Sequence, residues 1–287
     1  MPVQALTLEG LTSAEFKKAE RLFRHAARVQ VALLIISGLT IFVTAAAPTL
    51  IFAIVSALLF AAWAALDWQY RASRGQAERG RRMLLIVEGL GDDVSIEEQR
   101  DVEEGFSVTS DEGRNAENPD FFASERPRGN ARLIELLEES AFYSCRLFRL
   151  SASRAWSKFA LFTVACLLLF LSSITIADVG ELTSGGRILC TILIFLISQE
   201  ILGNGRDYGK AYQALSTIQA RIRAVRSAGY PQADLLVLLS DYNSAVEGAP
   251  MMAPGIYERN ASELDALWRR HLNDTLADRR GRETTDG

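Results

Sequence analysis

Between Arg28 and Asp67 the chain carries no charged side chain for 38 positions, residues 29–66. Crossing a bilayer core of about 30 Å takes roughly 17–25 residues of helix. The run is too long for one span and long enough for two. Pro48-Thr49 lies near its middle and is read as the turn, where irregular backbone can reach the headgroup region. The spacing therefore predicts transmembrane helices over about Val29–Ala46 and Leu50–Leu66. Trp63, Trp68 and Tyr70 fall near one end, where amphipathic rings suit an interface. Ala45-Ala46-Ala47 is like a signal-peptide cleavage site. The long charged region before the run, Pro48 and the second apolar block favour a retained signal-anchor helix instead.

A second hairpin is predicted over 159–203. Phe159–Ala177 forms a third span between Lys158 and Asp178. Arg187 and Glu200 enclose only twelve uncharged residues, 188–199. A fourth helix over about Leu182–Leu202 is long enough if Arg187 snorkels to one interface and Glu200 lies near the other. Basic residues flank the hairpins, from Lys17 to Arg28, Arg71 to Arg82, Arg146 to Lys158, and at Arg206 and Lys210. The turns hold no Lys or Arg except Arg187. The positive-inside rule puts all four flanks in the cytoplasm. The reading is an all-α integral membrane protein of the bacterial inner membrane, with both termini inside.

The parts outside the membrane are also helical in pattern. The segments are an N-terminal helix (1–28), hairpin 1 (29–66), an insert (67–158), hairpin 2 (159–203), a C-terminal helical domain (204–278) and a polar tail (279–287) read as disordered. Gly75, Gly80, Gly89 and Gly91 limit how far helix 2 continues. Residues 92–126 hold twelve Asp/Glu and three Arg, net −9, against −4 for the chain. They read mainly as loop, with a short helix at Ile96–Glu104, able to fold back and screen the basic flanks. From Ala131, the spacing of Leu133, Leu137, Ala141, Cys145 and Phe148 marks a helix face. Tyr208, Ala211, Tyr212, Leu215, Ile218, Ile222 and Val225 form a second stripe, ended by Gly229-Tyr230-Pro231. Leu235 to Tyr242 begin another helix. A last one starts near Ser262, with Leu264, Leu267, Trp268 and Leu272 inward. These stripes are expected to pack on one another.

Inside the membrane, Ala53, Ala57, Ala61 and Ala65 place a small residue every fourth position of helix 2. In lipid, helices gain from close backbone approach. The stripe is thus a candidate contact with helix 1 or with helix 2 of another copy, or plain alanine richness. Ser37, Thr40 and Thr44 line one side of helix 1, and Ser172, Ser173 and Thr175 lie on helix 3. Such hydroxyls commonly bond their own helix, and a polar path is the other reading. Glu200 is a gating candidate because carboxylates near a membrane are usually functional, or else it marks the cytoplasmic end of helix 4.

Catalytic signals are missing. There are two histidines, His25 and His271, and three cysteines, Cys145, Cys166 and Cys190. Neither a zinc site nor a disulfide framework is indicated. No phosphate-cradling glycine loop or nucleophile motif occurs. The basic segments flank spans, so anionic lipid explains them better than nucleic acid. The expectation is a non-enzyme without cofactor or metal.

Two segments carry a resemblance. One is Asp120-Phe121-Phe122-Ala123-Ser124 with Leu133-Ile134-Glu135 and Glu139-Ser140-Ala141-Phe142. The other is Asp241-Tyr242-Asn243 with Ala249-Pro250, Ile256-Tyr257 and Leu267-Trp268. With two hairpins around an insert, they resemble the SMODS-associating four-transmembrane effectors of bacteria. The first hairpin and Ala77-Glu78-Arg79 are similar in style to the two-transmembrane SLATT-type effectors. The resemblance implies a pore-forming, homo-oligomeric effector of a nucleotide-signalling anti-phage system, with a partner cyclase making a cyclic nucleotide signal. It supplies no catalytic residues. The alternatives are a membrane-anchored scaffold recruiting partners through 204–278, or a small channel or transporter.

Overall fold

The computed structural model describes residues 5–39, 46–91, 94–119, 121–176 and 203–283. They form eight helices and no strand: α1 (Ala5–Leu39), α2 (Ala46–Gly89), α3 (Ile96–Gly105), α4 (Ser110–Arg114), α5 (Asn130–Ile176), α6 (Asn204–Ser227), α7 (Gln232–Glu247) and α8 (Ile256–Glu283).

Three helices are far longer than any one apolar run. α1 has 35 residues, α2 has 44 and α5 has 47. At 1.5 Å per residue, α2 and α5 each extend about 65–70 Å. Each joins an apolar half to a polar half without a break. Pro48 lies inside the first turn of α2 and is not the hairpin turn. Its missing N–H costs nothing there, because first-turn amides have no helical acceptor. Gly75 and Gly80 also fail to end the helix. α1 approaches α2 so closely that a Cβ on Gly80 would lie 2.4 Å from the Thr12 hydroxyl and 2.7 Å from Phe106. The close contact outweighs the ~1 kcal/mol helix penalty of glycine.

α1 and α2 pack side by side. Phe23 packs on Tyr70 with ring centroids 5.2 Å apart, and Ser73 donates to Glu15. The packed side of α2 holds Phe52, Val55, Leu59, Trp63 and Leu66, which are half-buried. The opposite side is open, with Leu50, Ile51, Ile54, Leu58 and Phe60 more than half exposed. Val31 and Ile35 of α1, and Leu161, Val164 and Leu168 of α5, are equally exposed. Among the described residues, Ala47–Gly89 is the helix long and apolar enough to cross a membrane, with mean hydropathy 2.4 over its most apolar window and none of that window buried. The expected third span is helical as far as Ile176. The expected fourth span, Leu182–Leu202, lies outside the described residues.

The polar halves of α2 and α5 share the main core, to which α2 gives Leu85, while that of α1 packs in a second cluster through Leu8. Leu133, Leu137, Ala141, Cys145 and Phe148 of α5 meet Tyr208, Ala211, Leu215, Ile218, Ile222 and Val225 of α6, with Leu235, Leu238 and Tyr242 of α7. All are nearly inaccessible, while Tyr212 is partly covered at the edge. α8 starts at Ile256, two turns before the expected Ser262, because Ile256 is itself buried against Leu147 and Leu264. It continues helical to Glu283, past the expected start of the tail.

The acidic insert is built rather than loose. α3 and α4 are capped by Ser95 and by a Thr109–Glu112 capping box. Val102 is buried with Leu8, Met83 and Leu84, and Phe106 packs against them. The fully buried Glu15 carboxylate accepts from the backbone amides of Ser107 (2.9 Å) and Val108 (3.1 Å) and from the hydroxyls of Ser73 and Ser107. Glu9 takes the Asn118 amide at 2.8 Å. Among the described residues, Arg79–Asp101 and Lys18–Ser107 tie the insert to the basic flanks. The composition reads as loop because few aliphatics are present. What orders the segment is a pair of buried acceptors on α1.

Candidate functional site

Tyr70, Ser73, Arg74, Ala77, Glu78 and Arg81 recur at three- and four-residue spacing, so they share one face of α2. That face meets the end of α7. The Arg74 guanidinium donates to the carbonyls of Val246 (3.3 Å), Glu247 (3.5 Å) and Ala249 (2.5 Å). The last carbonyls of a helix lack internal partners and carry partial negative charge, so a cation there answers both needs. Glu78 pairs with Arg81 at 2.7 Å and with Arg74 at 3.9 Å. Its side chain is 8% exposed, and both arginines are 16% exposed.

Arg81 also reaches the second helix. Its guanidinium carbon sits 5.0 Å from the centre of the Tyr242 ring, and it donates to Asn243 at 3.3 Å. Glu247 of α7 faces Arg82 at 3.1 Å and Arg81 at 3.6 Å. Burial raises the Glu247 carboxyl above the ordinary carboxylate value despite Arg82. One Nη of Arg81 is buried without a hydrogen-bond partner among the described residues. A cavity of about 240 Å³ adjoins this junction, lined by Phe16, Ser144, Phe148, Met252 and Ile256.

Two further clamps hold the C-terminal helices to α5. Glu138 binds Arg226 of α6 and His271 of α8, the latter at 3.0 Å. Burial opposes its charge, but the His271 hydrogen bond and Arg226 prevail and lower its carboxyl pKa. Tyr143 donates to Asp265 at 2.8 Å, and Phe142 packs on Trp268 at 5.0 Å. Next to them, Glu139 takes the Ala123 amide at 3.1 Å and Glu135 takes the Ser124 hydroxyl at 2.8 Å. Burial, with Glu135 nearby and against the Ala123 amide, pushes the Glu139 carboxyl up to about 7.

The sequence candidates fall in three places. Ala53, Ala57, Ala61 and Ala65 are all exposed. The stripe therefore does not face α1, because the bulkier Phe52/Val55/Leu59/Trp63 side has that contact. Thr40, Thr44 and Glu200 lie outside the described residues. Ser37 lies on α1, and nothing is described of its side chain. Tyr208, Leu215, Ile218, Ile222 and Trp268 are buried, and the Tyr208 hydroxyl donates to the Met251 carbonyl at 2.6 Å. Arg74, Glu78, Arg81 and Glu247 were missed. Their signal was available as the charges Arg74, Glu78 and Arg81, opposite in sign at four- and three-residue spacing, which is a charged helix face inside an otherwise buried pattern.

Compared with known families, curated proteins and solved structures, the chain matches none. Some of the residues that carry the resemblance stand at such clamping contacts, while Leu133, Ile134 and Ala141 lie in the core. Tyr242 and Asn243 hold Arg81, the Ala249 carbonyl holds Arg74, and Asp241 pairs with Arg221. Asp120 is outside the described residues. No cluster of three metal-binding side chains occurs among the described residues. The carboxylates described here are occupied in holding helices, which makes the junction a latch between α2 and α7.

Proposed function

We propose that this chain is a membrane-perturbing, pore-forming effector, anchored by two helical hairpins and gated by its cytoplasmic helices. The setting implied by the resemblance is a nucleotide-signalled anti-phage system of the bacterial inner membrane. The observation that carries the reading is the continuity of α2 and α5. Each is one helix with an exposed aliphatic half and a half locked into the core. Exposed apolar surface on this scale needs a partner or lipid. A rigid helix transmits any shift of its core end to its other end. The latch of Arg74, Glu78 and Arg81 against α7 then holds the closed state, and its release lets the already exposed alanine faces of α2 meet between copies.

Purified full-length protein reconstituted in liposomes tests this through dye release. Leakage that rises with the protein-to-lipid ratio supports the reading. Tight vesicles holding fully inserted protein, with or without latch-breaking substitutions, would remove it. The scaffold reading is favoured instead if overexpression is harmless and partners bind through 204–278.

A further inference from the structure

We infer that the cavity beside the latch binds a small uncharged aromatic molecule carrying a carbonyl group. The inference deepens the gating reading by giving the latch a ligand, and its binding test does not depend on leakage. The cavity holds about 240 Å³, the share of roughly eight waters. That is just below the ~300–1,000 Å³ of ligand pockets and suits a single ring. α1, α2, α5, α7, the segment between α7 and α8, and α8 itself all contribute walls, so an occupant touches both helices that the latch joins.

The walls are mainly apolar and aromatic, with Phe16, Phe148, Val246, Met252, Ile256 and Tyr257. Three polar groups on the same lining have donors to spare. Ser144 and Tyr242 are buried, yet their hydroxyls make no hydrogen bond among the described residues. One Nη of Arg81 is likewise buried without a partner. Buried polar groups are nearly always hydrogen-bonded, so three idle donors on one lining call for an acceptor. Water suits the space poorly, because each molecule needs about two to four polar partners and these walls offer few. A carbonyl oxygen accepts two hydrogen bonds, while a flat ring packs on the aromatic walls.

The charges on the lining select a neutral ligand. Arg74 and Arg81 stand against Glu20, Glu78 and Glu258, a net of −1 (2 − 3). Arg74 is engaged by the Ala249 carbonyl and Glu78 by the two arginines. An anion would meet surplus carboxylates and a cation would meet Arg81, and a buried charge without its own partner is costly.

Benzamide is the probe. Its binding to full-length protein in detergent is read by saturation-transfer NMR, beside benzoate and benzylamine as charged molecules of similar size. Benzamide should bind with a Kd on the order of 1 mM, as suits so small a molecule, and both charged compounds should bind more weakly. Ser144→Ala and Tyr242→Phe each remove a hydroxyl and should weaken benzamide binding roughly fivefold. Ser144→Leu and Met252→Trp fill the space from opposite walls and should abolish it, with cooperative melting confirming that each variant is folded. Absence of benzamide binding by the wild type, undiminished binding by the folded variants, or tighter binding of benzoate or benzylamine overturns the inference. Benzamide binding by a protein that leaves vesicles tight keeps this site and removes the gating reading, whereas leakage without benzamide binding removes only the site.

Discussion

Glu78 and Arg81, one turn apart on α2, form a buried 2.7 Å ion pair whose arginine also faces the Tyr242 ring on α7. Removing one member leaves the other charge buried and unpaired, which typically costs about 3–5 kcal/mol. Arg81→Ala and Glu78→Ala should each lower the melting temperature markedly. The double variant should cost less than the sum of the two, and a thermal denaturation cycle reads this coupling directly.

How much of this was legible in the sequence divides by kind of residue. The stripes through Leu133–Phe148 and Tyr208–Val225 could be read because burial imposes helical periodicity on apolar side chains. Glu15 could not, because an acid in a charged segment looks solvated, and only the fold brings the Ser107 and Val108 amides to it. Pro48 looked like a turn, since proline breaks helices everywhere except the first turn, where it is found. The alanine stripe was visible, but which side of α2 meets α1 depended on bulk: Phe52 and Trp63 fill that contact and leave the alanines outside.

Glu139 predicts a pH effect whose sign is fixed. Its carboxyl titrates at about 7 folded against an ordinary 4.5. Between those values the folded chain holds the proton and the unfolded chain does not. Its contribution therefore weakens stability as pH rises from 4.5 to 7, by about 3 kcal/mol at most, and is level above that. Glu139→Gln still accepts the Ala123 amide. It should stabilise the protein at pH 8, have little effect near pH 4.5, and flatten this slope in denaturant titrations across the range.

Loss of the Glu15 carboxylate should detach the insert. Glu15→Ala leaves two backbone amides and two hydroxyls without their acceptor, at a cost of about 1–3 kcal/mol for each buried group left unsatisfied. Hydrogen exchange at Ser107 and Val108 should accelerate well before exchange in α5 or α6 does. Uniform acceleration throughout would mean the insert is not separately held.

Ala57→Leu and Ala61→Leu make a clean test of association between copies. Both alanines are exposed, so added bulk meets nothing within the chain. The melting temperature of the isolated chain should not change, whereas dye release from liposomes should fall at least severalfold. Equal leakage would place the contact between copies elsewhere.

The membrane potential of cells expressing the full chain tests the central claim most directly, with Glu247→Ala used to weaken the latch by removing the α7 carboxylate that Arg81 and Arg82 face. At matched levels of inserted protein, a voltage-sensitive dye should report depolarisation by the variant well beyond that of the wild type, and Ala57→Leu added to it should restore the potential. An unchanged potential in both wild type and Glu247→Ala would contradict the account.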